Sequence, residues 1–210
     1  MADTVAPAYA RFTEAERRAG RIAAAPASLA EGELWHPLTV KDEQARALLR
    51  IAAQRASGLF RQTTRKEVVW VEGDRELAIG IAELDVTLET GFVRVLIPVR
   101  CDQTGPTKVE VAFAVGSPDE PSGLFASTFR RPIGPPLIVN AWGDALVAFA
   151  WQCVLGLVTG LAGSVGKDAR GNVLVPAEFA VSRGVMEVVP MARHRFSGSS
   201  GLASNTGRTP

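Results

Sequence analysis

The sequence predicts an α+β fold, with helices packed on an antiparallel sheet. Residues 66–116 alternate apolar and polar side chains with a period of two, and turn-forming pairs interrupt them at Gly73-Asp74 and Thr90-Gly91. Residues 145–162 contain no charged side chain, and a helix that is apolar all round must be buried. The full prediction is two N-terminal helices, an antiparallel β-meander of four or more strands, one long apolar helix packed on the sheet, and a late C-terminal strand that closes the sheet.

Length and composition indicate one domain. The chain has 210 residues, of which 47% are hydrophobic and 21% charged, as in ordinary globular proteins. We expect the domain to cover residues 13–196, with disordered segments at 1–12 and 197–210. A net charge of +1 gives no general attraction to nucleic acid. The first residues lack a basic segment followed by an apolar run, so the expected location is cytoplasmic.

Two helices are predicted before the first strand. The first begins at Thr13, where Glu16 completes a capping box, and it ends before Pro26. Its apolar residues recur at helical spacing: Phe12, Ala15, Ala19, Ile22 and Ala23. The second has Thr39 as its N-cap and ends near Gly58. It carries an apolar stripe of Ala45, Leu48, Leu49, Ala52 and Ala56.

The alternating region predicts four strands, at residues 66–72, 75–89, 92–101 and 107–116. A two-residue turn at Thr90-Gly91 places Glu89 opposite Phe92. The same register pairs Thr87 with Arg94, and apolar residues on one face: Leu88 with Val93, Val86 with Val95, and Leu84 with Ile97. Within 75–89 the apolar parity changes at Ala82-Glu83, which indicates a bulge or bend. Shorter extended segments are predicted at 124–129 and 173–175, and the last strand at 185–196.

The apolar helix needs a partner on two sides. Small residues fall near one side (Ala145, Ala148, Gly156, Gly160), and large residues occupy the other (Leu146, Phe149, Val154, Leu157). One small sheet covers only one side, so the remaining cover must come from the N-terminal helices, from a second subunit or from lipid. We predict that Ala148, Gln152, Gly156 and Gly160 form an interface. Residues 145–162 are also long enough to cross a membrane. Against a membrane span, Gln152 lies mid-span and the flanks carry no one-sided basic cluster.

Familiar catalytic motifs are missing from the sequence. Gly166-Lys167 does not end a phosphate loop, because Leu161 and Asp168 stand where glycine and Ser or Thr are required. His36 and His194 lack metal-ligand spacing to each other or to a cysteine, so no metal and no cofactor is expected. Cys101 and Cys153 are expected to be reduced.

Acidic side chains give the one pattern with chemical potential. Glu83, Asp85 and Glu89 alternate along one strand, and paired carboxylates can serve in acid–base catalysis. We therefore take Glu83 and Asp85 as candidate catalytic residues, and Glu89, Arg94 and Arg100 as candidate ligand-binding residues. The alternative is the solvated face of a sheet, with the two arginines as cross-strand partners of the carboxylates.

Three functions remain open from the sequence. The leading hypothesis is a non-enzymatic binding or assembly module that forms homo-oligomers through the apolar helix or a sheet edge, so that its partner is itself or another protein. The second is an enzyme or carrier for a small apolar ligand bound between sheet and helix. The third is a membrane-associated protein anchored by residues 145–162.

Overall fold

The structure is a computed structural model that describes residues 36–57, 66–119, 123–124, 126–128, 130–167 and 171–192. Within these ranges there are two helices and nine strands, and the strands form two antiparallel sheets. The predicted α+β class is therefore confirmed. The elements are β1 (Leu38–Lys41), α1 (Asp42–Ala56), β2 (Glu67–Glu72), β3 (Arg75–Gly80), β4 (Asp85–Glu89), β5 (Phe92–Cys101), β6 (Gly105–Ala114), β7 (Ser127–Thr128), α2 (Pro136–Ser164), β8 (Leu174–Ser182) and β9 (Val185–Ala192).

The main sheet has the order β2-β3-β5-β6-β7, and β4 also pairs with β5. The predicted second strand, 75–89, is in fact two strands. The chain turns after Gly80, where the N–H groups of Ile81 and Ala82 both donate to the Lys66 carbonyl, at 2.8 and 3.3 Å. This turn lets the apolar residues on both sides of the parity change reach the core: Leu77, Ile79, Ile81, Leu84, Val86 and Leu88 are all buried. The parity change thus marks a break rather than a bulge.

The β4–β5 hairpin has the predicted register. Glu89 pairs with Phe92 and Thr87 with Arg94. Gly91 in the turn has φ of 74°, a left-handed conformation that favours glycine. Leu84 precedes β4, so the expected pair of Leu84 with Ile97 lies outside the paired residues.

The late strand does not close the main sheet as predicted. It forms a separate three-stranded sheet with the order β1-β9-β8, in which Leu38 lies opposite Val188. The segment predicted at 173–175 extends to Ser182 as β8, past Pro176 and a register shift before Glu178. Three backbone hydrogen bonds of 2.9 Å join this second sheet to the main one among the described residues. The N–H of Gly91 donates to the Val181 carbonyl, the N–H of Val181 to the Gly116 carbonyl, and the N–H of Gly184 to the Leu88 carbonyl.

The N-terminal helices also differ from the prediction. Among the described residues one helix, α1, precedes the main sheet, whereas two were expected. The helix predicted from Thr13 lies in residues 1–35, outside the described residues, as do both predicted terminal segments, 1–12 and 197–210. Thr39 is not the N-cap of α1, because it pairs with Glu187 in β1. The helix begins at Asp42, and the Gln44 side chain accepts a hydrogen bond from the Lys41 backbone N–H at 3.1 Å.

The long helix α2 lies at the centre of the core. It contacts α1, strands β5 and β6 of the main sheet, and strands β8 and β9 of the second sheet. Aromatic rings fill the space on both sides. Phe149 packs edge-on against Trp70 of the main sheet, with 5.6 Å between the ring centroids. Trp151 lies between Phe113 of β6 and Phe179 of β8, and its ring centroid is 5.2 Å from that of Phe113 and 6.4 Å from that of Phe179. Helix α2 therefore joins the two sheets into one core.

Candidate functional site

One narrow side of α2 is left uncovered by the fold. Every residue from Ala145 to Trp151 is buried, whereas farther along the helix partly or fully exposed residues recur every three or four positions. We call these residues the open stripe: Gln152, Leu155, Gly156, Thr159, Gly160 and Gly163. This spacing keeps them on one face of a helix. The open stripe is thus a place where α2 exposes small and apolar residues to solvent, in addition to Leu137 in its first turn, which is 61% exposed.

The open stripe forms one wall of a groove, and the C-terminal half of α1 forms the other. The groove has a volume of about 700 Å³. Small side chains dominate its lining, and Arg55 is the charged one: Ala52, Arg55, Ala56, Gln152, Leu155, Gly156, Thr159, Gly160, Gly163 and Ser164. Ile51 is not part of this lining, but it lies one turn before Arg55 on α1 and is 41% exposed. We use the name two-helix surface for the open stripe together with Ile51, Arg55 and Ala56.

Two glycines in the groove have different surroundings. A Cβ atom placed on Gly156 would lie 2.9 Å from the Cβ of Ala52, whereas one placed on Gly160 would meet nothing within 4 Å. Gly156 therefore permits the close approach of α1 and α2, in which a larger side chain would separate the helices. Gly160 faces the open groove and has no such packing role.

The four predicted interface residues do not all lie on one surface. Gln152, Gly156 and Gly160 lie together on the open stripe. Ala148 is fully buried and is out of reach of a second copy, because the sheets and α1 surround that half of α2. Sequence reasoning missed Leu155, Thr159 and Gly163, and also Ile51 on α1. Ile51 had a detectable signal, since it is a large apolar residue on the otherwise polar face of an amphipathic helix.

One helix, α2, is long and apolar enough to cross a membrane among the residues that the structure describes. It has 29 residues, and its most apolar window has a mean hydropathy of 1.9. Within this fold, 67% of that window is buried by protein. Such burial is consistent with the core helix of a globular domain.

The candidate acidic residues do not converge. Glu83 is exposed in the turn between β3 and β4. Asp85 forms an ion pair with Arg46 of α1 and accepts a hydrogen bond from the Val86 N–H at 2.8 Å. Glu89 is paired with Arg94 at 3.0 Å. The carboxylates of Asp85 and Glu89 thus have separate basic partners: Glu89 has the expected cross-strand arginine, Arg94, whereas Asp85 pairs with Arg46 of α1 instead.

The candidate ligand-binding arginines have partners of the same kind. Arg94 contacts Glu110 at 3.2 Å as well as Glu89, and Arg130 also pairs with Glu110. Arg100 contacts Glu67 of β2 at 3.3 Å on an exposed surface. The contacts of Arg94 link β5 to its neighbours β4 and β6, whereas the Arg100–Glu67 contact reaches from β5 past β3 to β2.

Helix α1 uses polar side chains to cover the edge of β4. The Asp42 carboxylate accepts a hydrogen bond from the Leu88 N–H at 3.2 Å. Arg50 donates to the Leu84 carbonyl at 2.9 Å. Unpaired backbone groups on an edge strand invite association with another strand, so these contacts keep β4 from serving as an open edge.

A second cleft, of about 560 Å³, lies between the β2–β3 turn, the β5–β6 turn and the first turns of α2. Its lining is mostly polar: Asp74, Arg75, Glu76, Cys101, Asp102, Gln103, Leu137, Ile138, Asn140, Ala141 and Trp142. Glu83, Asp85 and Arg94 are not part of it. The Cys101 sulfur lies 3.1 Å from the Thr104 hydroxyl, and this hydrogen bond lowers the pKa of the Cys101 thiol, although partial desolvation opposes it. We call this the Cys101 cleft.

The other cysteine lies in a contrasting environment. Cys153 is fully buried in α2, and burial raises the pKa of its thiol. Among the described residues, no group of three or more His, Cys, Asp or Glu side chains is arranged to hold a metal ion.

No protein-family model, no curated protein and no solved structure matches the chain. In the part of the chain that the structure describes, the groove between α1 and α2 and the Cys101 cleft are features from which a function can be argued.

Proposed function

We propose that the protein is a non-enzymatic assembly module that associates with a second copy of itself through the two-helix surface. The observation that supports this function is the open stripe, because helix α2, which is buried from Ala145 to Trp151, reaches solvent there. A helix with apolar surface on all sides is stable where each side has a partner. A second copy of the protein would supply the partner for the open stripe.

The chemistry of the two-helix surface suits helix–helix contact. Glycine, alanine and threonine let two backbones approach closely, and the stripe runs over roughly 16 Å at the helical rise of 1.5 Å per residue. Full burial of an aliphatic side chain contributes about 1.5–3 kcal/mol relative to full exposure, and Ile51 is 41% exposed. With Arg55 as the charged group of the groove, little charge must be desolvated.

The test is the mass in solution, measured by light scattering after size-exclusion chromatography without detergent. We expect a discrete oligomer that dissociates when Thr159→Arg introduces a charge into the open stripe. Asn140→Arg is the matched control, because Asn140 is exposed on the same helix but roughly 28 Å away along its axis. Circular dichroism should show that both variants remain folded.

Other outcomes identify other functions. A folded monomer at all concentrations would contradict self-association. An oligomer that survives Thr159→Arg would point to association through a sheet edge. Strand β2 is the edge to substitute next, because it ends the main sheet and its Val69 is 49% exposed. Solubility only in detergent would favour membrane association through residues 145–162.

Binding of a small ligand in the Cys101 cleft is the second candidate. The volume of the Cys101 cleft falls in the range of small-molecule sites, about 300–1,000 Å³, and Trp142 contributes an aromatic wall. The mainly polar lining favours a polar ligand over the apolar one expected from the sequence. Mass spectrometry of small molecules released from the denatured protein tests this candidate, and a stoichiometric small molecule would support it. A second measurement asks whether cell extract slows the alkylation of Cys101. No released molecule and no slowing would together oppose the candidate.

A further inference from the structure

The Cys101 cleft carries an excess of negative charge. Its lining includes three carboxylates, those of Asp74, Glu76 and Asp102, and one basic group, Arg75. The formal charge of the lining is therefore −2, whereas the whole chain has a net charge of +1. The low-dielectric walls of a cleft concentrate the field of such charges. The cleft therefore attracts a cationic ligand and repels an anionic one.

The three carboxylates of the cleft have no basic partner within the described residues. By contrast, three carboxylates of nearby strands each form an ion pair with an arginine, namely Asp85, Glu89 and Glu110. Two of the cleft carboxylates come from the β2–β3 hairpin and the third from the turn between β5 and β6. A ligand that enters the cleft thus meets uncompensated negative charge from two separate turns.

The wall that α2 contributes to the cleft has an apolar part. Leu137 is 61% exposed, more than any other large apolar side chain among the described residues. Ala141 and Trp142 belong to the same lining. Burial of apolar surface is favourable, and an indole ring attracts cations through its π system. A ligand that combines a cationic group with an apolar group therefore matches the cleft better than a purely polar one.

The arrangement suits an organic cation better than a metal ion. Calcium and magnesium need several oxygen ligands that converge within about 2.0–2.6 Å. Where the structure describes the chain, no group of three or more His, Cys, Asp or Glu side chains converges in this way. The cleft volume of about 560 Å³ is also large beside the roughly 30 Å³ that one water molecule takes up in the liquid. Its carboxylates thus surround a space of molecular size.

We propose that the Cys101 cleft binds a small organic cation, an amine that carries an apolar group. This inference rests on the second candidate function, because it names the class of ligand for that same cleft, and it does not depend on self-association. The amine lies among the carboxylates of the two turns, and the apolar group lies against Leu137 and Trp142. Because the three carboxylates are exposed, salt weakens the attraction.

Three probes that share one apolar group test the preference for a cation: 2-phenylethylamine, 2-phenylethanol and 3-phenylpropanoate. Calorimetry with the full-length protein at low ionic strength gives the Kd of each. We expect the amine to bind at least about fivefold more tightly than the alcohol, and the carboxylate to bind most weakly. This preference should shrink at about 0.15 M salt. An amine that binds no more tightly than the alcohol, or binding of none of the three, would overturn the inference.

Two double variants assign the preference to the cleft. Asp74→Asn/Asp102→Asn should reduce the ratio of the two Kd values, alcohol over amine, at least about threefold. Glu43→Gln/Asp144→Asn is the matched control, because it removes the same charge from exposed positions outside the lining, and it should leave the ratio unchanged. An equal loss in both variants would contradict a site in the cleft. A stoichiometric neutral or anionic molecule released from the purified protein would overturn the cation and leave the second candidate function intact.

Cys101 reports the charge of the cleft in a second test. It belongs to the lining, whereas Cys153 is buried. We expect the cationic 2-aminoethyl methanethiosulfonate to modify Cys101 faster than the anionic 2-sulfonatoethyl reagent, with a rate ratio at least about fivefold above that of free cysteine. Asp74→Asn/Asp102→Asn should lower this ratio and the control variant should not. Both reagents attack the same thiolate, so a change in its population cancels. A ratio equal to that of free cysteine would overturn the inference.

Discussion

At the residue scale, neighbouring glycines of α2 have opposite effects on packing. Gly156 is held against Ala52, and Gly160 faces open space. Both occupy the interior of a helix, where alanine is favoured over glycine by about 0.5–1 kcal/mol. Whether that preference is realised depends on the space around each Cβ.

We predict that Gly160→Ala raises the free energy of unfolding by about 0.5–1 kcal/mol, because the new methyl group meets nothing. Gly156→Ala should lower it by about 1–3 kcal/mol, as for other overpacked sites, because α1 has to move away. Urea denaturation of the two variants, each the control of the other, gives both values. A rise in both would show that the α1–α2 contact adapts to an extra methyl group.

The two cysteines should differ in reactivity. The thiolate is the nucleophile, and the Thr104 hydrogen bond stabilises the thiolate of Cys101. With N-ethylmaleimide, the alkylation rate of Cys101 should therefore reach half its maximum at a lower pH than for a free cysteine, and Cys153 should not react while the protein is folded. Thr104→Ala should move the half-maximal pH upward, whereas Thr107→Ala should not. An unchanged pH profile in Thr104→Ala would show that the hydrogen bond does not lower the pKa of the Cys101 thiol.

At the element scale, α1 is attached to β4 by side chains that the sequence pattern assigns to the polar face of a helix. Asp42, Arg46 and Arg50 each contact β4 or the residue before it. The helix therefore covers the core with its apolar side and the strand edge with its polar side. The carboxylate of Asp85 is part of this attachment through its ion pair with Arg46.

We predict that Asp42→Ala lowers the free energy of unfolding by about 1–3 kcal/mol, the cost of leaving a buried N–H without an acceptor. The affected group is the N–H of the buried Leu88. Asp42→Asn keeps an acceptor and should cost less, and Glu43→Ala, at an exposed neighbouring position, should have little effect. Hydrogen exchange at Leu88 should accelerate in the alanine variant alone. Equal exchange in all three would mean that Asp42 does not protect this edge.

At the scale of the whole molecule, α2 makes the two sheets one cooperative unit. Its aromatic residues contact both sheets, and Gly91 and Val181 join them through the backbone. We predict that Phe149→Ala lowers the free energy of unfolding by about 3–5 kcal/mol and keeps a single transition. Val69→Ala, at a half-exposed position, should cost far less.

Urea unfolding followed by both tryptophan fluorescence and far-ultraviolet circular dichroism tests this prediction. The two probes should give coincident curves in the wild type and in Phe149→Ala. Separate transitions would mean that the β1-β9-β8 sheet unfolds independently of the main sheet.

Local patterns in the sequence were sufficient for part of the fold and part of the candidate site. Turn chemistry at Thr90-Gly91 predicted the β4–β5 register, and small-residue spacing placed Gln152, Gly156 and Gly160 on one surface. The second sheet was not predictable in this way, because it joins Leu38 to Val188, and no local signal specifies a pairing so distant in sequence. The burial of Ala148 likewise depends on elements that surround α2 from other parts of the chain.

The sequence by itself determined the period of each segment, the turns at Gly73-Asp74 and Thr90-Gly91, and the presence of a helix with no charged side over residues 145–162. These features follow from side-chain polarity and backbone preference, which act over a few residues. Only the tertiary structure decided which side of α2 stays open, that Gly156 rather than Gly160 lies against α1, and that Asp85 and Glu89 have separate basic partners. Each of these depends on how elements far apart in the chain pack, because burial and charge pairing are set by neighbours in space.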